Sequence, residues 1–163
     1  DDESIPMLAR QDGKGLAVKF RGIERDVPAA HLSEGMLLIL AYLAILYSPK
    51  PPSLLLVEEP ENGVHPERLK QVVGILREIV KKHNYTQIVL TSHSPYIVSE
   101  FEPEEVTLCR KDEHGYVQTR RLSDSEIVRR DRGIFSLGEI WPAEEEAIFR
   151  ESRAAKPNGE AVP

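Results

Sequence analysis

Two adjacent carboxylates, Glu58 and Glu59, close the short apolar run Ser53-Leu54-Leu55-Leu56-Val57. A continuous run of that kind predicts a central parallel strand whose faces are both covered. A charged pair ending it stands at the carboxyl edge of the sheet, where open α/β sheets bind ligands. His93 follows a second apolar strand, Gln87–Thr91, inside Ser92-His93-Ser94-Pro95. Ser33, in His31-Leu32-Ser33-Glu34-Gly35-Met36, precedes an apolar helix. A serine beside the free N–H groups of a helix start makes an anion site suited to a phosphate. Two acids, an imidazole and an anion-binding helix start are the parts of phosphate chemistry.

Each part has a plainer reading when taken alone: an acidic strand end, a structural histidine, a helix cap. Their order is what joins them. Ser33-Glu34-Gly35 leads a helix, a strand ends in Glu58-Glu59, Pro60-Glu61-Asn62-Gly63-Val64-His65-Pro66 follows, and a further strand runs into Ser92-His93-Ser94-Pro95. This layout resembles the C-terminal half of an ABC-type ATPase head of the RecF/SMC-like, AAA-labelled bacterial kind. The run Glu58 to Pro66 carries most of the resemblance, which covers roughly residues 16–141; Ser136-Leu137-Gly138-Glu139-Ile140-Trp141 looks like that family's C-terminal region.

The resemblance implies a P-loop NTPase-like α/β fold: a C-terminal lobe with a mainly parallel sheet flanked by helices, followed by a β-hairpin. It implies ATP and Mg²⁺ as ligands. Glu58 would be the metal-organising acid of a Walker B element, Glu59 the catalytic carboxylate and His93 the switch histidine. Leu32, Ser33, Glu34, Gly35 and Met36 would form the signature, and Asn62, Gly63, Val64 and His65 the D-loop running between subunits. Transporters usually have glycine and glutamine at the positions of Glu34 and Met36, and aspartate is commoner at Glu58. These departures point away from membrane transport.

One part is missing. No stretch matches Gly-x-x-x-x-Gly-Lys-Ser/Thr; the nearest, Gly13-Lys14-Gly15, reads as a turn. The backbone cradle and lysine that grip phosphates are therefore expected on another lobe or chain. The expected partners are that Walker A-bearing lobe and, through a head-head contact, a second copy. DNA is expected, if at all, through the wider assembly, in repair, chromosome maintenance or phage defence. The alternative is a non-catalytic, ABC-derived interaction module.

Composition bounds these readings. At 163 residues the chain fits one domain, a partial head lobe, with 40% hydrophobic and 29% charged residues. A net charge of −6 argues against a bulk nucleic-acid footprint. The basic clusters Lys81-Lys82-His83 and Arg129-Arg130-Asp131-Arg132 read as solvated helix faces, and no nuclease constellation is visible. A lone cysteine, Cys109, suits a reducing, cytoplasmic setting. The acidic start Asp1-Asp2-Glu3 does not read as a secretory leader, and the absence of an initial methionine reads as a processed product or an excised piece. The longest apolar run, Met36 to Tyr47, is shorter than the roughly 20 residues of a membrane span and predicts a buried helix.

The remaining elements follow from pattern. Residues 1–15 form a leading segment, 16–141 the core and 142–163 a C-terminal helix with a loose tail. Gly15–Phe20 alternates like a strand, and Arg21–Leu32 reads as a loop. Pro66 to His83 places Leu69, Val72, Val73, Leu76, Ile79 and Val80 on one helical face, with Pro66 in the first turn. Ser94 is the expected cap of a short helix begun by Pro95. Val106–Lys111 and Tyr116–Leu122 flank Asp112-Glu113-His114-Gly115 as a hairpin. Ser123–Arg132 reads as a charged helix, Ile134–Trp141 as a loop, and Ala143–Arg153 as a surface helix.

Overall fold

A computed structural model of the chain describes residues 15–154. The leading segment before Gly15 and the tail after Ala154 lie outside the described residues. β1 (Ala17–Val18) and β2 (Val27–Pro28) pair antiparallel over two residues. This is shorter than the strand expected over Gly15–Phe20; beyond the pairing the Ala29 N–H still donates to the Leu16 carbonyl at 2.8 Å, and the chain then turns into the single helical turn Ala29–His31. α1 (Glu34–Leu46) follows, and the Ser33 hydroxyl caps it by accepting from the Met36 N–H at 3.3 Å.

β3 (Leu54–Glu58), α2 (Pro66–Lys82) and β4 (Gln87–Thr91) form the predicted βαβ unit. β3 and β4 run parallel, with Leu54 opposite Gln87 and Glu58 opposite Thr91. The apolar face of α2, Leu69, Val72, Val73, Leu76 and Ile79, is buried. Part of it meets Tyr42, Leu38, Ile39 and Ile45 of α1 and Leu55 and Val57 of β3. Lys82 donates to the Leu46 carbonyl at 2.9 Å and the His83 ring sits 2.9 Å from the same oxygen, so the end of α2 closes the end of α1.

The expectation of full coverage fails here. Leu55 and Val57 face the helices, but Leu54 and Leu56 on the other face of β3 are exposed, Leu56 by 70%, and Val89 of β4 beside them is exposed too. α1 is likewise covered on one side only: Tyr42 is buried, whereas Met36, Leu37, Leu40 and Leu43 are half-buried. Apolar residues all round a helix or strand require cover on all sides, and the described residues supply only one layer.

The sheet is also less parallel than expected. The described strands form three two-stranded pieces, and only β3–β4 is parallel. The other two pairs are joined by connections too short for a crossover, which leaves only antiparallel pairing.

The C-terminal part begins with α3 (Pro95–Val98), followed by the hairpin of β5 (Thr107–Lys111) and β6 (Val117–Arg121), with Thr107 opposite Arg121. The Asp112 carboxylate organises its turn by accepting from the His114 and Tyr116 N–H groups at 2.9 Å. α4 (Glu126–Asp131) and α5 (Leu137–Ala154) cover the hairpin. Val98, Leu108, Leu122, Val128, Ile140 and Ile148 are among the buried residues of this core.

Two expectations are corrected in this part. The segment read as a loop over Ile134–Trp141 and a surface helix from Ala143 is one helix from Leu137, with Pro142 inside it and Ile148 and Phe149 buried. Proline has no N–H to donate to the Gly138 carbonyl, a loss the tertiary packing outweighs. Ser94 precedes α3 without a side-chain cap bond; its own N–H donates to the Ser92 hydroxyl at 2.9 Å.

Candidate functional site

β3 and β4 end side by side, so whatever follows each strand is delivered to one edge. Glu58 closes β3 opposite Thr91, exposed, and its carboxylate makes no hydrogen bond or ion pair within the described residues. The Glu59 N–H still donates to the Thr91 carbonyl at 2.9 Å, but its φ of 42° turns the chain sharply out of the sheet. A non-glycine residue in the left-handed region is uncommon, and such strain concentrates at functional sites.

The turn that follows folds back on Glu59. The Asn62 N–H donates to the Glu59 carbonyl at 2.9 Å, and the Asn62 side-chain amide donates to Glu59 Oε2 at 2.8 Å. From the other strand, His93 Nε2 lies 3.6 Å from Glu59 Oε1. The His93 side chain is 88% exposed and faces solvent at the sheet edge. Glu58, Glu59, Asn62 and His93 therefore converge on one edge, as their order along the chain suggested.

A second group gathers where α1 meets the same turn. Gly63 has φ +73°, and a side chain on Gly35 would collide with the Gly63 carbonyl. Only glycine at both positions permits this backbone approach. An open cavity of about 390 Å³ beside it is lined by Ser33, Gly35, Met36, Gly63, His65 and Arg68. Glu34 lies against Gly63, while Leu32 is half-buried behind the cap. His65 itself caps α2, its Nδ1 accepting from the Glu67 N–H at 3.4 Å. Residues 62 and 63 are neighbours, so one turn serves both groups.

Glu61 was not singled out from the sequence. Its Oε1 accepts from the Ser92 hydroxyl at 2.7 Å and from the His93 N–H at 3.0 Å. These partners lie more than thirty residues away in the chain, and the only sequence hint is an acid at the centre of the turn.

The basic clusters are occupied within the fold. Lys81 pairs with Glu78 and Arg129 with Glu126. Arg130 forks onto Asp131 at 2.6 and 2.7 Å, which holds the Asp131 carboxyl below its usual range. Arg132 pairs with Glu102.

Mg²⁺ is usually held by one or two carboxylates together with substrate phosphates and water. Among the described residues no group of three or more His, Cys, Asp or Glu could hold a metal unaided. An unpaired Glu58 beside Glu59 fits the shared mode of binding, in which phosphates complete the shell. No helix among the described residues is long and apolar enough to cross a membrane.

Residues 4–99, more than half of the chain, match the family described as "AAA domain, putative AbiEii toxin, Type IV TA system". The matched span contains both groups of site residues and stops just beyond α3. No curated protein matches the chain.

Proposed function

The chain belongs to this AAA-domain family, a family of P-loop NTPase-like α/β folds with nucleotide-binding, ATPase-like function, and from that membership we propose that it is the C-terminal lobe of an ABC-type ATPase head. On this reading it binds and hydrolyses Mg-ATP at a head-head interface once paired with a Walker A-bearing lobe. The setting would be DNA repair, chromosome maintenance or phage defence.

The observation that carries the reading is the meeting of Glu59, Asn62 and His93 at the ends of two adjacent parallel strands. Glu59 would orient the attacking water and take its proton as the bond from the γ-phosphorus to the bridging oxygen breaks. The Asn62 amide keeps one carboxylate oxygen in place, leaving the other, beside His93, for the water. His93 would hold the γ-phosphate and water in line. Mg²⁺, bound at Glu58 with the phosphates, would neutralise charge developing on the phosphate chain. Ser33 and the start of α1 would meet the γ-phosphate held by the other head. The uncovered Leu54, Leu56 and Val89 face fits a lobe completed by another.

The test is reconstitution. Mixed with the Walker A-bearing lobe, the chain should restore Mg-ATP hydrolysis, and Glu59→Gln should retain nucleotide while turnover drops by about 10²–10⁴-fold. Wild-type turnover in that variant rules out the role given to Glu59. Partner binding indifferent to nucleotide and to His93→Ala, with no hydrolysis, supports a non-catalytic interaction module instead.

A further inference from the structure

We infer that Glu61 is the positioning residue for His93, fixing the imidazole at the sheet edge by gripping the backbone beneath it. The inference rests on the ATPase reading for its kinetic consequence, but not for its structural one. The His93 ring is almost wholly exposed, and its one polar neighbour among the described residues is Glu59 at 3.6 Å. No packing holds such a ring, so its place is set by its own backbone.

That backbone hangs on one oxygen. Glu61 Oε1 accepts from both the Ser92 hydroxyl and the His93 N–H, and the same Ser92 hydroxyl accepts from the Ser94 N–H at 2.9 Å. Three consecutive residues are thus tied to a single carboxylate, and hydrogen bonds to a charged acceptor are the stronger kind. Glu61 stands in the turn that also carries Glu59 and Asn62, and its carbonyl accepts from the Val64 N–H at 3.1 Å. One rigid turn therefore holds the acid directly and the imidazole at one remove. On the far side, α3 is backed by Gly138, where any side chain would strike the Pro95 carbonyl. The loop is clamped between these supports.

The second oxygen sharpens the prediction. Glu61 Oε2 is enclosed and has no hydrogen-bond partner among the described residues. The grip therefore uses one oxygen only, whose place the amide oxygen of glutamine can take, at the cost of an N–H₂ in the enclosed position. Alanine removes it altogether.

The experiment has two arms. In the intact chain, the His93 ring resonances, assigned by comparison with His93→Gln, are followed by NMR. They should move in Glu61→Ala and in Ser92→Ala but stay near the wild-type positions in Glu61→Gln. In the complex with the Walker A-bearing lobe, Glu61→Ala should lower kcat for ATP by about 10–100-fold, the scale expected for a misplaced catalytic group, with KM little changed; Glu61→Gln should restore most of the rate. If Glu61→Ala does not fold, Ser92→Ala carries both arms. Unmoved resonances in the alanine variants, or Glu61→Gln as damaging as Glu61→Ala, overturn the inference. If the wild-type complex hydrolyses nothing, the ATPase reading fails, and the resonances alone decide the placement of His93.

Discussion

The βαβ unit and the C-terminal hairpin with its helices are built of similar residues but finished differently. Around the hairpin, Leu108, Leu122, Val128, Ile140, Ile148 and Phe149 are buried among themselves, and polar side chains close the seams. Ser125, fully buried, donates to Glu151 at 2.7 Å, and Arg110 stacks over Phe149 at 4.1 Å while pairing with Glu146. In the βαβ unit the exposed apolar residues Leu54, Leu56 and Val89 share one sheet face, whereas those of the C-terminal part, Tyr116, Val117, Ile134 and Phe135, lie at the hairpin turn and ahead of α5. The candidate site residues all lie in the first of these parts, within the span that matches the AAA family. The two parts thus differ in where their open apolar surface lies, on one sheet face in the first and in turns and connections in the second.

That contrast can be broken by mutation. The largest effect is expected at Ile148→Ala, which opens a void in the sealed core and should cost about 2–5 kcal/mol in urea unfolding. Gly35→Ala should cost about 1–3 kcal/mol, because its new methyl meets the Gly63 carbonyl, which is backbone and cannot rotate away. Leu56→Lys, on the open face, should change stability by less than about 0.5 kcal/mol. It should also reduce self-association measured by light scattering, and a loss as large as that of Ile148→Ala would show the face to be covered after all.

The smallest effect is a pH dependence in the C-terminal part. Glu139 accepts from the Ser136 N–H and hydroxyl, both at 2.8 Å, which holds its carboxyl below the usual glutamate range. A lowered carboxyl stabilises the fold above its unfolded value, and the contribution disappears as pH falls through the folded value. The melting temperature of Glu139→Gln should therefore lie slightly below wild type at neutral pH and converge with it in acid. A gap that widens on acidification contradicts this role for Glu139.

Where local pattern decides the structure, the sequence was readable. β4 spans Gln87–Thr91 as expected, β3 and α2 fall within a residue of the reading, and the Asp112–Gly115 turn makes its hairpin. Periodicity and turn chemistry are short-range signals, and these elements obey them. α5 misled because Pro142 is a local stop signal that distant packing of Ile148 and Phe149 overrides. Coverage of β3 was misjudged for a related reason: an apolar strand states its need for cover, not what supplies it. At the site, the motif order is matched by proximity: the Asn62 amide lies 2.8 Å and the His93 ring 3.6 Å from the Glu59 carboxylate. Glu61 was invisible because its two donors arrive from the connection after β4, across a contact no spacing rule describes.

The touching glycines at 35 and 63 carry a mechanical consequence. A side chain at 35 would push the facing turn away, and one at 63 would be strained by its positive φ and press on Glu34. The serine leading α1 and the asparagine holding Glu59 are each within two residues of that junction. A displacement of either segment therefore moves both groups together, as one mechanical unit.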